Sequence, residues 1–186
     1  MTLAQYIKRN VDANFDGELP FKTIGKGVNK NSVFTNFKQA EECVYFLKSG
    51  IVVVEIETEK ERKILDFFFE NSFFASYSSL LLGTLSDVRI SAFTDCTVEV
   101  INYEELKETY KSSLIANKLG RIETEKLFTR KVSREKELLT KTAEQRYLTL
   151  INSKPEIVKQ IPVKDISRYL GIKPESLSRI RQRIIS

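Results

Sequence analysis

The feature that most constrains this chain is a change of periodicity near Tyr103. Before it, from about Phe21 to Ile101, β-branched and aromatic residues come in short runs separated by turn residues. After it, the segments Glu104 to Lys111 and Ser113 to Leu139 hold no proline and a single glycine, Gly120. Short strands followed by an unbroken helical stretch predict an α+β architecture, with an antiparallel barrel or sandwich ahead of helices.

Within the strand region, Val44 to Leu47 and Ile51 to Ile56 read as two strands joined at Ser49-Gly50, where glycine permits positive φ. Glu57 to Lys63 is a charged hairpin tip, and Ile64 to Phe69 returns as another strand. Val88 to Ala92 and Thr97 to Ile101 read as a further pair around Thr94-Asp95-Cys96. In the helical region, Ile115, Leu119 and Ile122 fall at i, i+4 and i+7, and Leu127, Phe128 and Val132 continue the stripe. A helix this long exceeds what a small barrel can cover, so part of the stripe is expected to meet a second copy of the chain. The alternative is a stripe lying on its own barrel. Thr142-Ala143-Glu144-Gln145 then fits a capping box, starting a new helix from Ala143 to about Asn152.

Residues Val163 to Gln182 carry the sharpest local pattern. Ile166 and Leu170 share a helical face, Gly171 follows where a left-handed residue ends a helix, and Ile172 plugs the corner. Pro174 suits a first helical turn, with Glu175 beside it in the positive field of the helix start. Leu177 and Ile180 then face Ile166 and Leu170, and Ser167 is small enough for a close crossing. This is the pattern of a DNA-binding helix-turn-helix. Projected at about 100° per residue, Glu175, Arg179 and Gln182 lie opposite the apolar stripe, flanked by Ser178. These are the candidate base contacts: Arg suits guanine, Gln adenine and Glu cytosine. Arg168, Lys173, Ser176, Arg181 and Arg183 are the candidate phosphate contacts.

The charge agrees. The net charge of +5 is not evenly spread. Lys141 to Ser186 holds ten bases and four acids, which leaves 20 bases and 21 acids for the first 140 residues. A basic tail on a near-neutral body points to nucleic acid or another anionic partner. The chain has no His and two Cys, Cys43 and Cys96. That removes Ser-His-Asp and Cys-His nucleophiles, HExxH zinc sites, His-ligated haem and four-ligand iron–sulfur clusters. The paired acids Glu41-Glu42 and Glu104-Glu105, and Glu57, Glu59 and Glu61, stand at the spacing of solvated faces. No catalytic residue, metal or cofactor is therefore expected. The N-terminus lacks a signal-peptide core and no apolar run can span a bilayer, so a cytoplasmic protein is expected, with no membrane partner.

The run Leu170-Gly171-Ile172-Lys173-Pro174-Glu175-Ser176-Leu177-Ser178-Arg179-Ile180-Arg181 resembles the recognition segment of CRP/FNR-type transcription regulators, as does Thr142 to Tyr147. Tyr45 to Val52 resembles the early turn of the cyclic-nucleotide-binding roll that such regulators carry. The resemblance implies a jelly-roll-type sensor over residues 1–112, a dimer helix over 113–140 and a helix-turn-helix domain over 141–186, with little or no wing because the chain stops at Ser186. It also implies double-stranded DNA, a second copy of the chain and RNA polymerase as partners. Glu175 and Arg179 fall on the family's base-contacting positions.

Cyclic-nucleotide-binding members of that family carry Gly-Glu, then Arg before Ser/Thr, in the phosphate cassette. Here Phe73-Phe74-Ala75-Ser76-Tyr77 has Ala-Ser in place of Gly-Glu, and Ser86 occupies the Arg position. Arg89 sits at an odd offset from Ser86 and so on the opposite strand face. Cyclic AMP is therefore not expected. A different ligand held near Phe74, Ala75, Ser76, Ser86 and Arg89, no ligand, or a protein partner all remain open. The rival to a DNA reader is a cytoplasmic ligand-sensing or protein-interaction module whose basic helical tail reads no DNA site.

Overall fold

Thr2 and Gln5 start the chain on a helix. The Gln5 amide donates to Thr2 Oγ1 (3.2 Å) and the Thr2 amide to Gln5 Oε1 (2.9 Å), a capping box that opens α1 (Leu3–Asn10). The computed structural model describes residues 1–185, and the side chains of all of these except 156, 157 and 185; Ser186 lies outside the described residues. Eight strands follow α1: β1 (Ile24–Val28), β2 (Val33–Thr35), β3 (Cys43–Ser49), β4 (Val52–Glu57), β5 (Arg62–Phe68), β6 (Ser72–Phe74), β7 (Val88–Ala92) and β8 (Cys96–Asn102). A short helix, α2 (Tyr77–Leu82), interrupts them. The strands form two antiparallel four-stranded sheets, ordered β1-β8-β3-β6 and β2-β7-β4-β5.

Strand alternation decides what each sheet face touches. Leu47 of β3, Val52 and Val54 of β4, Phe74 of β6, Ile90 of β7 and Val98 of β8 fill the space between the sheets. Phe46, one residue on from Tyr45, points the other way and packs with Leu3 and Ile7 of α1. Ile51 and Val53 likewise leave the interior and join Ile64 and Phe67 on the outer face of the second sheet. The run Ile51-Val52-Val53-Val54 is apolar throughout because both faces are covered.

Two strand pairings differ from the sequence reading. Ser49-Gly50 joins β3 and β4 as expected, but the two do not pair; β3 lies between β8 and β6 and β4 between β7 and β5. Gly50 is at φ +98°, and a Cβ there would lie 2.4 Å from the Asp95 carbonyl oxygen, so the corner is tight as well as left-handed. Similarly β7 pairs with β2 and β4 while β8 pairs with β1 and β3, so the Thr94-Asp95 bend also switches sheets.

After β8 come α3 (Tyr103–Tyr110), α4 (Leu114–Thr140), α5 (Ala143–Ser153), α6 (Pro155–Gln160), α7 (Val163–Leu170) and α8 (Pro174–Ile185). The first turns of α4 lie on the first sheet: Ala116 and Leu119 are buried with Phe46, Ile101 and α1. Leu119 therefore belongs to its own roll and is not free to form a seam with a second copy, a correction to the stripe drawn from Ile115, Leu119 and Ile122, while Ile115 packs against the same cluster but stays half-buried. Ile122 is half-buried. The exposed apolar residues of α4 are Leu114, Phe128, Leu138 and Leu139. No helix among the described residues is long and apolar enough to cross a membrane.

Candidate nucleic-acid interface

The last four helices pack as the capping and apolar spacing dictate. Thr142 Oγ1 accepts from the Gln145 amide (3.2 Å) and Gln145 Oε1 from the Thr142 amide (2.9 Å), opening α5. Gly171 ends α7 at φ +69°, and the Ile172 amide donates back to the Ser167 carbonyl (3.0 Å), which closes the turn. Ile166 and Leu170 of α7 meet Leu177 and Ile180 of α8, with Tyr147 and Leu150 of α5 beneath them; all are buried. Ser167, 1% exposed, occupies the helix crossing, its hydroxyl returned to the Lys164 carbonyl (2.7 Å).

With that face buried, the opposite face of α8 is outward. Glu175, Ser176, Ser178, Arg179 and Gln182 are exposed, as is Lys173 in the turn. The four candidate base contacts thus lie together on one solvent-facing side, at helix positions that the apolar stripe forces apart from it. Arg181 is half-buried, and the exposed Arg183 reaches Glu144 of α5 (3.2 Å).

Arg168 is placed elsewhere. Its Nη2 donates to Glu55 Oε1 of β4 (2.7 Å), its Nη1 to Asp165 (3.2 Å) and its Nε to the Arg62 carbonyl (3.0 Å). Burial alone would lower its pKa; the Glu55 and Asp165 carboxylates outweigh burial and hold it above the ordinary value. The reading of Arg168 as a phosphate contact is corrected: its guanidinium ties the helix-turn-helix to the roll. The same contact surface includes Tyr169, whose ring meets Phe67 with centroids 5.7 Å apart.

In the roll, the structure brings Phe74, Ala75, Ser76 and Ser86 together and buries all four. Ser76 and Ser86 hydroxyls are 2.7 Å apart, and the Ser86 hydroxyl donates to the Val88 carbonyl (2.8 Å). Phe74 stacks on Tyr45 at 5.0 Å and packs edge-on to Phe34. Arg89 points to the other sheet face, where its Nη1 meets Glu55 Oε2 and Ser91 Oγ, both at 3.0 Å. It takes no part in the Ser76–Ser86 cluster, so that five-residue grouping does not hold.

Glu41, read as half of a solvated acid pair, is buried. Its carboxylate accepts from the Thr35 hydroxyl, the Ser76 amide (3.3 Å), the Glu42 amide (3.1 Å) and the Cys43 amide (3.2 Å). Burial, and then the negative charge of Glu41, push the Tyr45 phenol well above its ordinary pKa. The chain thus supplies its own anion where the loop before α2 presents the Ser76 amide. Thr35 and Ser76 lie 6 and 35 positions from Glu41, too far apart for any short motif to join them.

Comparison with known proteins agrees with the fold. The family described as cyclic nucleotide-binding domain matches residues 28–113. FixK2 from Bradyrhizobium japonicum superposes with a TM-score of 0.74 at 18% identity, over 88% of this chain and 84% of that one. A protein from Eubacterium rectale assigned to the CRP/FNR transcriptional regulators gives 0.70 at 17% identity, over 98% and 83%. The c-di-GMP-responsive global regulator CLP from Xanthomonas campestris gives 0.64 at 19% identity, over 87% and 86%. Among curated proteins no sequence matches significantly.

Proposed function

We propose that this chain, which carries a cyclic nucleotide-binding domain within the overall fold of the CRP/FNR regulators, is a homodimeric, sequence-specific DNA-binding transcription regulator. The observation that carries the reading is the outward face of α8, where Glu175, Ser178, Arg179 and Gln182 are all exposed while Leu177 and Ile180 anchor the helix from behind. A second, major-groove-sized helix presented in this way is what base-edge readout requires. Lys173, Ser176 and Arg181 then serve the flanking phosphates, and the two recognition helices of a dimer read half-sites about one helical turn apart.

The dimer seam is the part of α4 that the roll leaves bare. Only Ala116 and Leu119 of its 27 residues are buried, whereas Leu114, Phe128 and Leu139, on one side of the helix, are each at least 69% exposed. A second copy of α4 covers that side. Cyclic AMP is not the effector: the Ser76 amide is already taken by Glu41, and Ser86 is held to Ser76 and Val88.

Selection from a pool of random duplexes, followed by gel shift, tests the reading. A pseudo-palindromic site is expected, and Arg179→Ala is expected to weaken it by about tenfold or more and relax one base position, since a bidentate Arg–guanine contact contributes about 1–3 kcal/mol of discrimination. Recovery of no preferred sequence, with Arg179→Ala binding as the parent does, refutes it in favour of a protein-binding tail.

A further inference from the structure

A cavity of about 450 Å³ lies where the roll, α4, α5 and α7 meet. Its walls are partly apolar, from Ile64, Leu138, Leu150 and Tyr169. Around these stand seven cationic side chains and two carboxylates, Asp66 and Glu137. Asp66 is already occupied by Arg130 (3.0 Å) and Lys131 (3.6 Å), and Glu137 by Lys141 (3.1 Å). Glu55, beyond the wall, holds Arg168 and Arg89.

Three of the cations have only neutral partners among the described residues. Arg146 donates to the carbonyls of Lys141 (2.9 Å) and Leu170 (3.1 Å), and its Nε is buried without a partner. Arg134 donates to the Tyr169 carbonyl and lies 4.1 Å above that ring. Lys154 has its ammonium 5.0 Å above the Phe69 ring. Burial lowers the Lys154 pKa, with the nearby Arg130 adding to the effect and Asp66 opposing it. Arg130 also keeps a buried Nε without a partner. Positive charge removed from water without a counter-charge is costly, and a site that accumulates it gains by admitting an anion.

We propose that this cavity binds a small, multiply phosphorylated organic molecule, its phosphates held by Arg134, Arg146 and Lys154 and its body on Ile64, Leu138 and Tyr169. Guanidinium forks match phosphate oxygens in pairs, and the volume is that of an ordinary small-molecule site. The walls come from both the roll and the helix-turn-helix, so an occupant bridges them and sets the orientation of α8. That consequence rests on the DNA-binding reading above; the binding itself does not.

The test uses the full chain without DNA. Inorganic pyrophosphate and adenosine 5′-triphosphate are titrated at constant ionic strength, followed by calorimetry and thermal unfolding. Saturable binding is expected, with a rise in melting temperature that grows with concentration. Lys154→Met and Lys131→Glu are expected to weaken it by tenfold or more, and Lys22→Glu, an exposed site outside the cavity with the same charge change, to leave it unaltered. The Lys131 side chain is 48% exposed, so its variant keeps the fold. Absence of saturable binding of either probe overturns the proposal, as does equal weakening by Lys22→Glu. Gel shift with the selected duplex, with and without the probe, then reads the coupling separately, so a protein that binds the probe but no DNA refutes only the DNA reading.

Discussion

Glu55 is the point at which the roll holds the helix-turn-helix, and its removal can be worked through in numbers. Its carboxylate, 11% exposed, accepts from Arg168 at 2.7 Å and from Arg89 at 3.0 Å. Glu55→Gln keeps the shape and removes the charge, leaving two guanidiniums facing a neutral amide. Breaking a fully buried pair costs about 3–5 kcal/mol, and a hydrogen bond to a charged group contributes about 1.5–3 kcal/mol. The Arg168 and Arg89 side chains are 24% and 22% exposed, so water recovers part of the loss and about 2–3 kcal/mol is expected. For a chain of this size that lowers the melting temperature by about 4–12 °C. Arg168→Met, which keeps the packing stem, is expected to cost about 2 kcal/mol, and the double variant less than the sum by about 1 kcal/mol or more, because the two singles remove the same bond. Urea titrations of the four proteins give the cycle. The salt dependence of DNA binding gives a second reading: each lost phosphate contact flattens the slope of log affinity against log salt by about 0.9, and Arg168→Met is expected to leave it unchanged. A coupling below about 0.5 kcal/mol together with a flatter slope would return Arg168 to the DNA and refute the docking argument.

Leu119→Ala is expected to cost about 2–4 kcal/mol in urea titration while leaving the oligomeric state unchanged in light scattering, because the side chain is 4% exposed within its own roll. Phe128→Asp is expected to do the reverse, dissociating the dimer by tenfold or more with the circular dichroism of the monomer preserved, since Phe128 is 69% exposed. Lys154→Met is expected to be more stable than the parent at pH 7. The buried ammonium has its pKa lowered from 10.5, so the unfolded chain binds the extra proton and parent stability rises with pH up to that value, a rise the variant lacks in urea titrations from pH 7 upward.

What could be read from the sequence was local. The turn of the helix-turn-helix needs Gly171 directly after Leu170 and the apolar pairs at three and four residues on either side, and all of these lie within 15 positions. The Thr142–Gln145 box and the left-handed Gly50 are local for the same reason. The equivalent box at Thr2 and Gln5, which opens α1, is local in the same way. Strand partners were not available. A glycine at a bend announces that the chain reverses, but Gly50 turns it from one sheet into the other, and only the contacts of Ile51 and Val53 on the outer face reveal this. Glu41 fails in the same way, since its donors come from Thr35, Ser76 and its own loop.

Arg168 and Lys154 carry that point into function. Helical projection gives the angle of a side chain around its own axis, and nothing about what stands across from it. Arg168 sits on a basic tail beside a recognition helix, yet its partner Glu55 is 113 positions away in the chain. Of the ten bases in that tail, Lys141, Arg168 and Arg183 are paired with carboxylates of the chain itself, and Arg146 and Lys154 face the junction cavity. The cationic excess that looked like one DNA-facing surface is therefore two surfaces. One is the exposed side of α8 with Lys173 and Arg179; the other is a partly apolar, half-open cavity of about 450 Å³ between roll and helices, a volume suited to a molecule far smaller than DNA. On the proposed reading, the DNA-reading helix and the small-anion site share one packed unit, so that what fills the second bears directly on the position of the first.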